Sequence, residues 1–155
     1  MTCGLALAVA LSLADPAVAI SAAQPHWTAG DPVAVAGEPL FVDIVARADR
    51  LRTTALAWTP ADLSALLGGP DWAGFKADAL ALADRDMQGH LVLAERGVDG
   101  DLKCILRGIS EDIPLRLTAM EAATTDADRA AALSDLVHLL DDNVAVITAP
   151  PQPEA

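Results

Sequence analysis

The chain has 155 residues, a formal net charge of −12 and only ten lysine and arginine residues. Nucleic acids and anionic membrane surfaces are bound through clusters of Lys and Arg, so this composition excludes both as expected partners. A basic protein partner or cations are compatible with the charge, which also helps to keep an exported protein in solution.

The first 19 residues have the pattern of a secretory signal. An apolar run covers residues 4–14, an Asp-Pro step follows, and residues 17–19 supply small side chains at a cleavage site. We expect cleavage after Ala19, with an alternative site after Ala23. No Lys or Arg precedes Arg47, so either the α-amino group supplies the basic end or the start codon lies upstream. The pattern predicts an exported protein, periplasmic or secreted.

The same apolar run is too short for a membrane anchor, because spanning a bilayer needs about 20 apolar residues. We therefore expect no stable membrane span after signal cleavage. Residues 20–38 contain prolines and glycines without a sustained period and predict an extended lead-in. Residues 149–155 are rich in proline and predict a disordered tail. Residues 39–148 are long enough for one domain that folds without a disulfide or metal.

The pattern between these ends is helical. Helix starts are indicated by Pro39, by Thr59 followed by proline, and by Thr125 with an acidic residue three positions later. Glycines after the predicted second and third helices indicate their ends. We expect helices at about 39–57, 60–67, 71–96, 101–122 and 126–148, although the apolar run 144–147 is also compatible with a strand. Four longer helices and one short helix predict an all-α fold, a small antiparallel helical bundle.

Cys104 is one of two cysteines, and the other, Cys3, lies within the predicted signal. On a helical wheel, Cys104 falls nearly opposite the apolar arc of its own helix, close to Gly108. The first interpretation is a second packed face, on which two small residues let another segment approach. The alternatives are an intermolecular disulfide, as expected for an odd cysteine in an exported protein, and a reactive or metal-binding thiol. Pro114 should kink this helix further along.

Asp86 and His90 fall inside the apolar arc of the predicted third helix, four residues apart. Polar groups that face a core need partners, so the simplest interpretation is a hydrogen bond between the two side chains. The functional interpretation is half of a metal site, completed by ligands from facing helices. Met87, Met120 or Cys104 as softer ligands would favour copper, whereas Asp86 and His90 alone would suit zinc or iron. His138 falls on the polar face of the last helix and is expected to be solvated.

No motif for covalent haem, nucleotide binding or a hydrolase nucleophile is present in the sequence. The leading hypothesis is therefore a non-enzymatic one: an accessory or protein-binding module that acts on another exported protein and requires no cofactor. The alternative is a metal- or cofactor-binding bundle that uses Asp86 and His90. A third hypothesis, an enzyme with His90 as a base oriented by Asp86, lacks an assignable nucleophile.

Overall fold

A computed structural model describes residues 35–58, 63–97 and 101–149. These ranges contain no strand and five helices, which confirms the all-α prediction: α1 Pro39–Leu56, α2 Leu63–Leu66, α3 Pro70–Glu95, α4 Asp101–Ala122 and α5 Asp126–Thr148. The predicted signal, most of the lead-in, residues 150–155 of the tail and the predicted start of α2 at Thr59 lie outside the described residues. Residues 35–38 form a turn, in which the Glu38 amide donates to the Val35 carbonyl at 2.8 Å.

Local chemistry explains where the helices begin and end. Pro39 occupies the first turn of α1, where a missing amide hydrogen costs nothing. At the start of α5, the Thr125 hydroxyl accepts from the Asp128 amide at 3.1 Å and donates to the Asp128 carboxylate at 2.7 Å. Gly97, just after α3, has a φ of +65°, a conformation that glycine adopts without steric cost.

Two sequence elements that raised doubts about helix continuity are both helical. Pro114 lies inside α4, and the helix continues on both sides of it. The run 144–147 belongs to α5 and buries Val146 and Ile147. The strand alternative for this run is therefore wrong.

The four long helices contact one another in a closed ring. α1 and α4 each contact α3 and α5, while α2 contacts α3 and α5. The diagonal pairs, α1 with α4 and α3 with α5, have no Cα atoms within 8 Å of each other in the described residues. The core lies along the centre of this ring, and its largest fully buried side chains come from every helix: Phe41, Ile44, Leu63, Leu82, Leu93, Leu106, Ile113, Leu117, Met120, Leu136, Leu140 and Ile147.

None of the described helices is both long enough and apolar enough to cross a bilayer.

Candidate functional site

Asp86 and Asn143 are the two polar side chains buried in the described core, and both are 0% exposed. The Asn143 amide nitrogen donates to Oδ2 of Asp86 at 2.8 Å. Because Asp86 lies on α3 and Asn143 on α5, this hydrogen bond crosses the ring between diagonally placed helices. The pair therefore links two helices whose backbones do not meet.

One oxygen on each side of this pair has no donor. Oδ1 of Asp86 and Oδ1 of Asn143 are both buried without a hydrogen-bond partner. A carboxylate only accepts hydrogen bonds, whereas a protonated carboxyl group also donates one. No described donor stabilises a negative charge on Oδ1 of Asp86. The pattern of contacts thus favours the neutral acid over the carboxylate at this position.

Electrostatics favours the same protonation state. Burial raises the pKa of Asp86 from 3.8 to about 7, and the hydrogen bond from Asn143 lowers it only in part. Desolvation acts in this direction because a charge loses its hydration when it enters an apolar interior. An acid that titrates near neutral pH is thus placed at the centre of the bundle.

His90 does not pair with Asp86, so the predicted hydrogen bond between them is wrong. Nδ1 of His90 lies 2.7 Å from the Lys103 carbonyl oxygen, and since a carbonyl only accepts, this nitrogen carries the proton. The contact joins the end of α3 to the start of α4. A spacing of four residues places Asp86 and His90 on one face of α3. Their partners nevertheless come from different helices, Asn143 of α5 for Asp86 and the Lys103 carbonyl of α4 for His90.

The sequence contained a signal for the true partner of Asp86. Asn143 falls within the apolar arc of α5, between the buried Leu140 and Ile147, just as Asp86 falls within the arc of α3. Two polar residues in facing apolar arcs predict a pair across a core. The sequence prediction includes Asp86 but not Asn143.

Cys104 is exposed and forms no disulfide. A Cβ added at Gly108 would meet nothing within 4 Å, so no described segment packs closely over this part of α4. The interpretation of Cys104 as a residue of a second packed face is therefore wrong, because the face opposite the core stripe is open. The intermolecular disulfide and the reactive thiol remain as hypotheses.

Of the predicted metal ligands, Asp86 is fully buried beside Asn143, Met120 is buried in the core, and Cys104 is exposed. In the part of the chain that the structure describes, no group of three or more His, Cys, Asp or Glu side chains is arranged to hold a metal ion.

A groove between α1 and α3 was not foreseen from the sequence. Its volume is about 570 Å³, and its floor includes Trp58 and Phe75. These two rings meet edge to face with their centroids 4.6 Å apart, a favourable aromatic arrangement. The Trp72 ring extends this aromatic cluster, and its centroid lies 5.8 Å from that of the Phe75 ring.

The two walls of the groove carry charges of opposite sign. α1 contributes Arg47 and Arg50, and α3 contributes Asp71 and Asp78. Arg47 is held by Asp43 at 2.9 Å on its own helix. Among the described residues, the other three charges have no ion pair or hydrogen bond, although Arg50 exerts a longer-range attraction on Asp43. The groove thus combines an aromatic floor with three charged side chains that no described residue pairs with.

Comparison of the chain with known protein families, with curated proteins and with solved structures finds no match.

Proposed function

We propose that this chain is a small exported helical bundle that acts as a non-enzymatic accessory module and binds another protein. The α1–α3 groove is the observation that carries the proposal. It combines aromatic surface, a guanidinium group and two carboxylates that the described fold does not use. Aromatic and Arg side chains are enriched where proteins recognise one another.

Export is the second part of the proposal, and it rests on the signal pattern of residues 1–19. Cleavage after Ala19 or Ala23 would leave the lead-in, the bundle and the proline-rich tail as the mature protein. N-terminal sequencing of protein recovered from the exported fraction tests this directly. A first residue of Ile20 or Gln24 is expected, and recovery of the intact Met1 from that fraction would contradict cleavage.

The antiparallel order of the helices belongs to the same proposal. Trp72 at the start of α3 donates to Glu121 at the end of α4 at 2.9 Å. His90 near the end of α3 contacts Lys103 near the start of α4. Contacts of start with end, joined by a short connection, favour opposite directions for these two helices.

The binding function is tested by isolating the native protein from its exported fraction at low salt. We expect it to elute as a complex, and crosslinking with mass spectrometry should place the partner beside the α1–α3 groove. A strictly monomeric profile without a crosslinked partner would overturn the proposal. Arg107→Glu is a matched control, since Arg107 is exposed and its ion pair among the described residues lies within α4, with Glu111 at 3.3 Å.

A further inference from the structure

The groove keeps its opposite charges apart. Charged groups that approach within about 4 Å form an ion pair, yet no ion pair of the described residues joins Arg50 to Asp71 or Asp78. The cationic wall on α1 and the anionic wall on α3 therefore face open space of about 570 Å³. A Cβ added at Gly74, between the two aspartates, would meet nothing within 4 Å, so the space extends to the α3 backbone.

The floor between these walls suits one large apolar side chain. Trp58 is half-buried. Its ring packs against Phe75, and its ring centroid lies 6.2 Å from that of Trp72. Covering the exposed part of this aromatic surface would be favourable, because apolar area is removed from water. A flat ring or a branched aliphatic group would fit such a floor.

The geometry points to a peptide segment of a protein partner that carries a large apolar side chain flanked by one acidic and one basic residue. The acidic residue would meet Arg50 and the basic residue would meet Asp71 and Asp78, while the apolar side chain covers Trp58. This inference rests on the proposed function and specifies which types of side chain the partner presents to the groove. The whole-chain charge of −12 alone would favour a purely basic ligand, but Arg50 disfavours one at this groove.

Short synthetic peptides test this chemistry. The probe is acetyl-Ser-Glu-Phe-Lys-Ser-amide, titrated into ¹⁵N-labelled protein and followed by amide and indole NMR signals. Two controls replace Glu and Lys with Gln, or Phe with Ala. We expect the Trp58 indole and Gly74 amide signals to shift, and each control to bind about fivefold more weakly, the effect of losing exposed ion pairs or a partly covered ring.

Charge reversal locates the contact. Arg50→Glu and Asp78→Lys should each weaken the charged probe by about tenfold, because attraction becomes repulsion. Both should leave the uncharged control peptide nearly unaffected. Arg107→Glu should change neither affinity. The helical circular dichroism signal of each variant checks that the fold is retained. Because Arg50→Glu and Asp78→Lys test the two walls separately, the second variant still tests the contact if the first is unstable.

The outcomes separate this inference from the proposed function. Equal affinity for the charged and uncharged probes, or shifts that avoid the groove, would overturn the peptide chemistry. A native partner that co-purifies equally with wild-type protein and with Arg50→Glu would also overturn it, while the accessory function would stand. Selective binding of the charged probe by a native protein that has no partner would support the groove and contradict the accessory function.

Discussion

Asp86 and Glu121 both link helices in this bundle, and their surroundings shift their pKa values in opposite directions. Asp86 is buried at the centre, receives one hydrogen bond from Asn143, and has its pKa raised to about 7. Glu121 lies at the exposed edge of α3 and α4, where Lys76 and the Trp72 indole both donate to it. The Lys76 hydrogen bond is the largest cause that lowers the pKa of Glu121.

The contrast shows that the contribution of a carboxylate to stability depends on whether it is exposed to water or buried in the core. At the edge, water hydrates the charge and Lys76 neutralises it, so the link adds little stability and responds to salt. In the core, no described cation contacts Asp86 and one amide donates to it, so the link depends on that amide and on the proton. The core link should therefore be sensitive to mutation and to pH near neutrality, whereas the edge link should respond weakly to mutation and to pH only under acidic conditions.

The largest effect is expected from removing the donor in the core. Asn143→Leu keeps the size of the side chain but leaves both carboxyl oxygens of Asp86 without a partner. We expect the free energy of unfolding to fall by about 2–4 kcal/mol at pH 7, measured by urea denaturation. The double variant Asp86→Leu with Asn143→Leu should recover much of this loss, since no polar group is then buried alone. A single variant as stable as wild type would contradict the importance of the pair.

The pH dependence of stability separates the two carboxylates further. The pKa of Asp86 is raised on folding, so the folded protein retains a proton that the unfolded chain releases near pH 3.8. Its contribution is full below about pH 4 and is lost as the pH rises through about 7. The free energy of unfolding should fall by about 2–3 kcal/mol between pH 5 and pH 8.

Asp86→Asn is the matched control for that slope, because an amide cannot titrate in this range. We expect the variant to show little pH dependence between pH 5 and pH 8, whereas Glu121→Gln should retain the wild-type slope. The pKa of Glu121 is lowered, so its contribution is present above its unfolded value and is lost only as the pH falls through its folded pKa. A wild-type slope in Asp86→Asn would show that another group is responsible.

The sequence predicted the helices far better than it predicted this core pair. Bounds for α4 and α5 agree at every terminal residue, and those of α1 and α3 agree within one residue. Caps such as Thr125 and breaks such as Gly97 act within a few residues, so they can be read locally. The hydrogen-bond partner of Asp86 lies 57 residues further along the chain. Which apolar helix faces meet is determined only when the four long helices pack together.

The groove escaped prediction for a related reason. Arg50 and Asp78 are ordinary solvated positions when each helix is considered alone. Their relation depends on how α1 and α3 lie side by side, and on the absence of an ion pair between them. Cys104 illustrates the converse, because its helical wheel placed it correctly away from the core, while the packing partner assumed for that face does not exist among the described residues.

Adding one methyl group at Gly89 in the core and at Gly108 on the surface should change stability in opposite directions. A Cβ on Gly89 would lie 3.1 Å from Leu106 Cδ1 and 3.3 Å from Phe41 Cε1. We expect Gly89→Ala to lower the free energy of unfolding by about 1 kcal/mol, because overpacking exceeds the gain in helix propensity. Gly108→Ala, with open space around it, should raise stability by about 0.5–1 kcal/mol. Thermal melts of both variants measure the difference, and equal shifts would contradict close packing at Gly89.

The edge carboxylate should give a smaller effect. Glu121→Gln retains an acceptor for the Trp72 indole and removes only the ion pair with Lys76, whose nitrogen lies 2.7 Å from the carboxylate. We expect a loss of about 0.5 kcal/mol or less, and less again in 0.5 M salt. Lys76→Met should give a similar result, and a loss as large as that of Asn143→Leu would contradict the distinction between edge and core.

The smallest effect is expected at Cys104, where the side chain is exposed and nothing described packs over it. Removing a thiol from water-exposed surface leaves neither a cavity nor an unsatisfied group, so Cys104→Ala and Cys104→Ser should both stay within about 0.5 kcal/mol of wild type. The thiol should react with a maleimide at similar rates in the native state and in urea. Cys104→Ser is the control that reports any labelling of Cys3. Native labelling that is much slower than labelling in urea would show that another surface covers this face of α4, and a reductant-sensitive dimer on gels would identify that surface as a second copy of the chain.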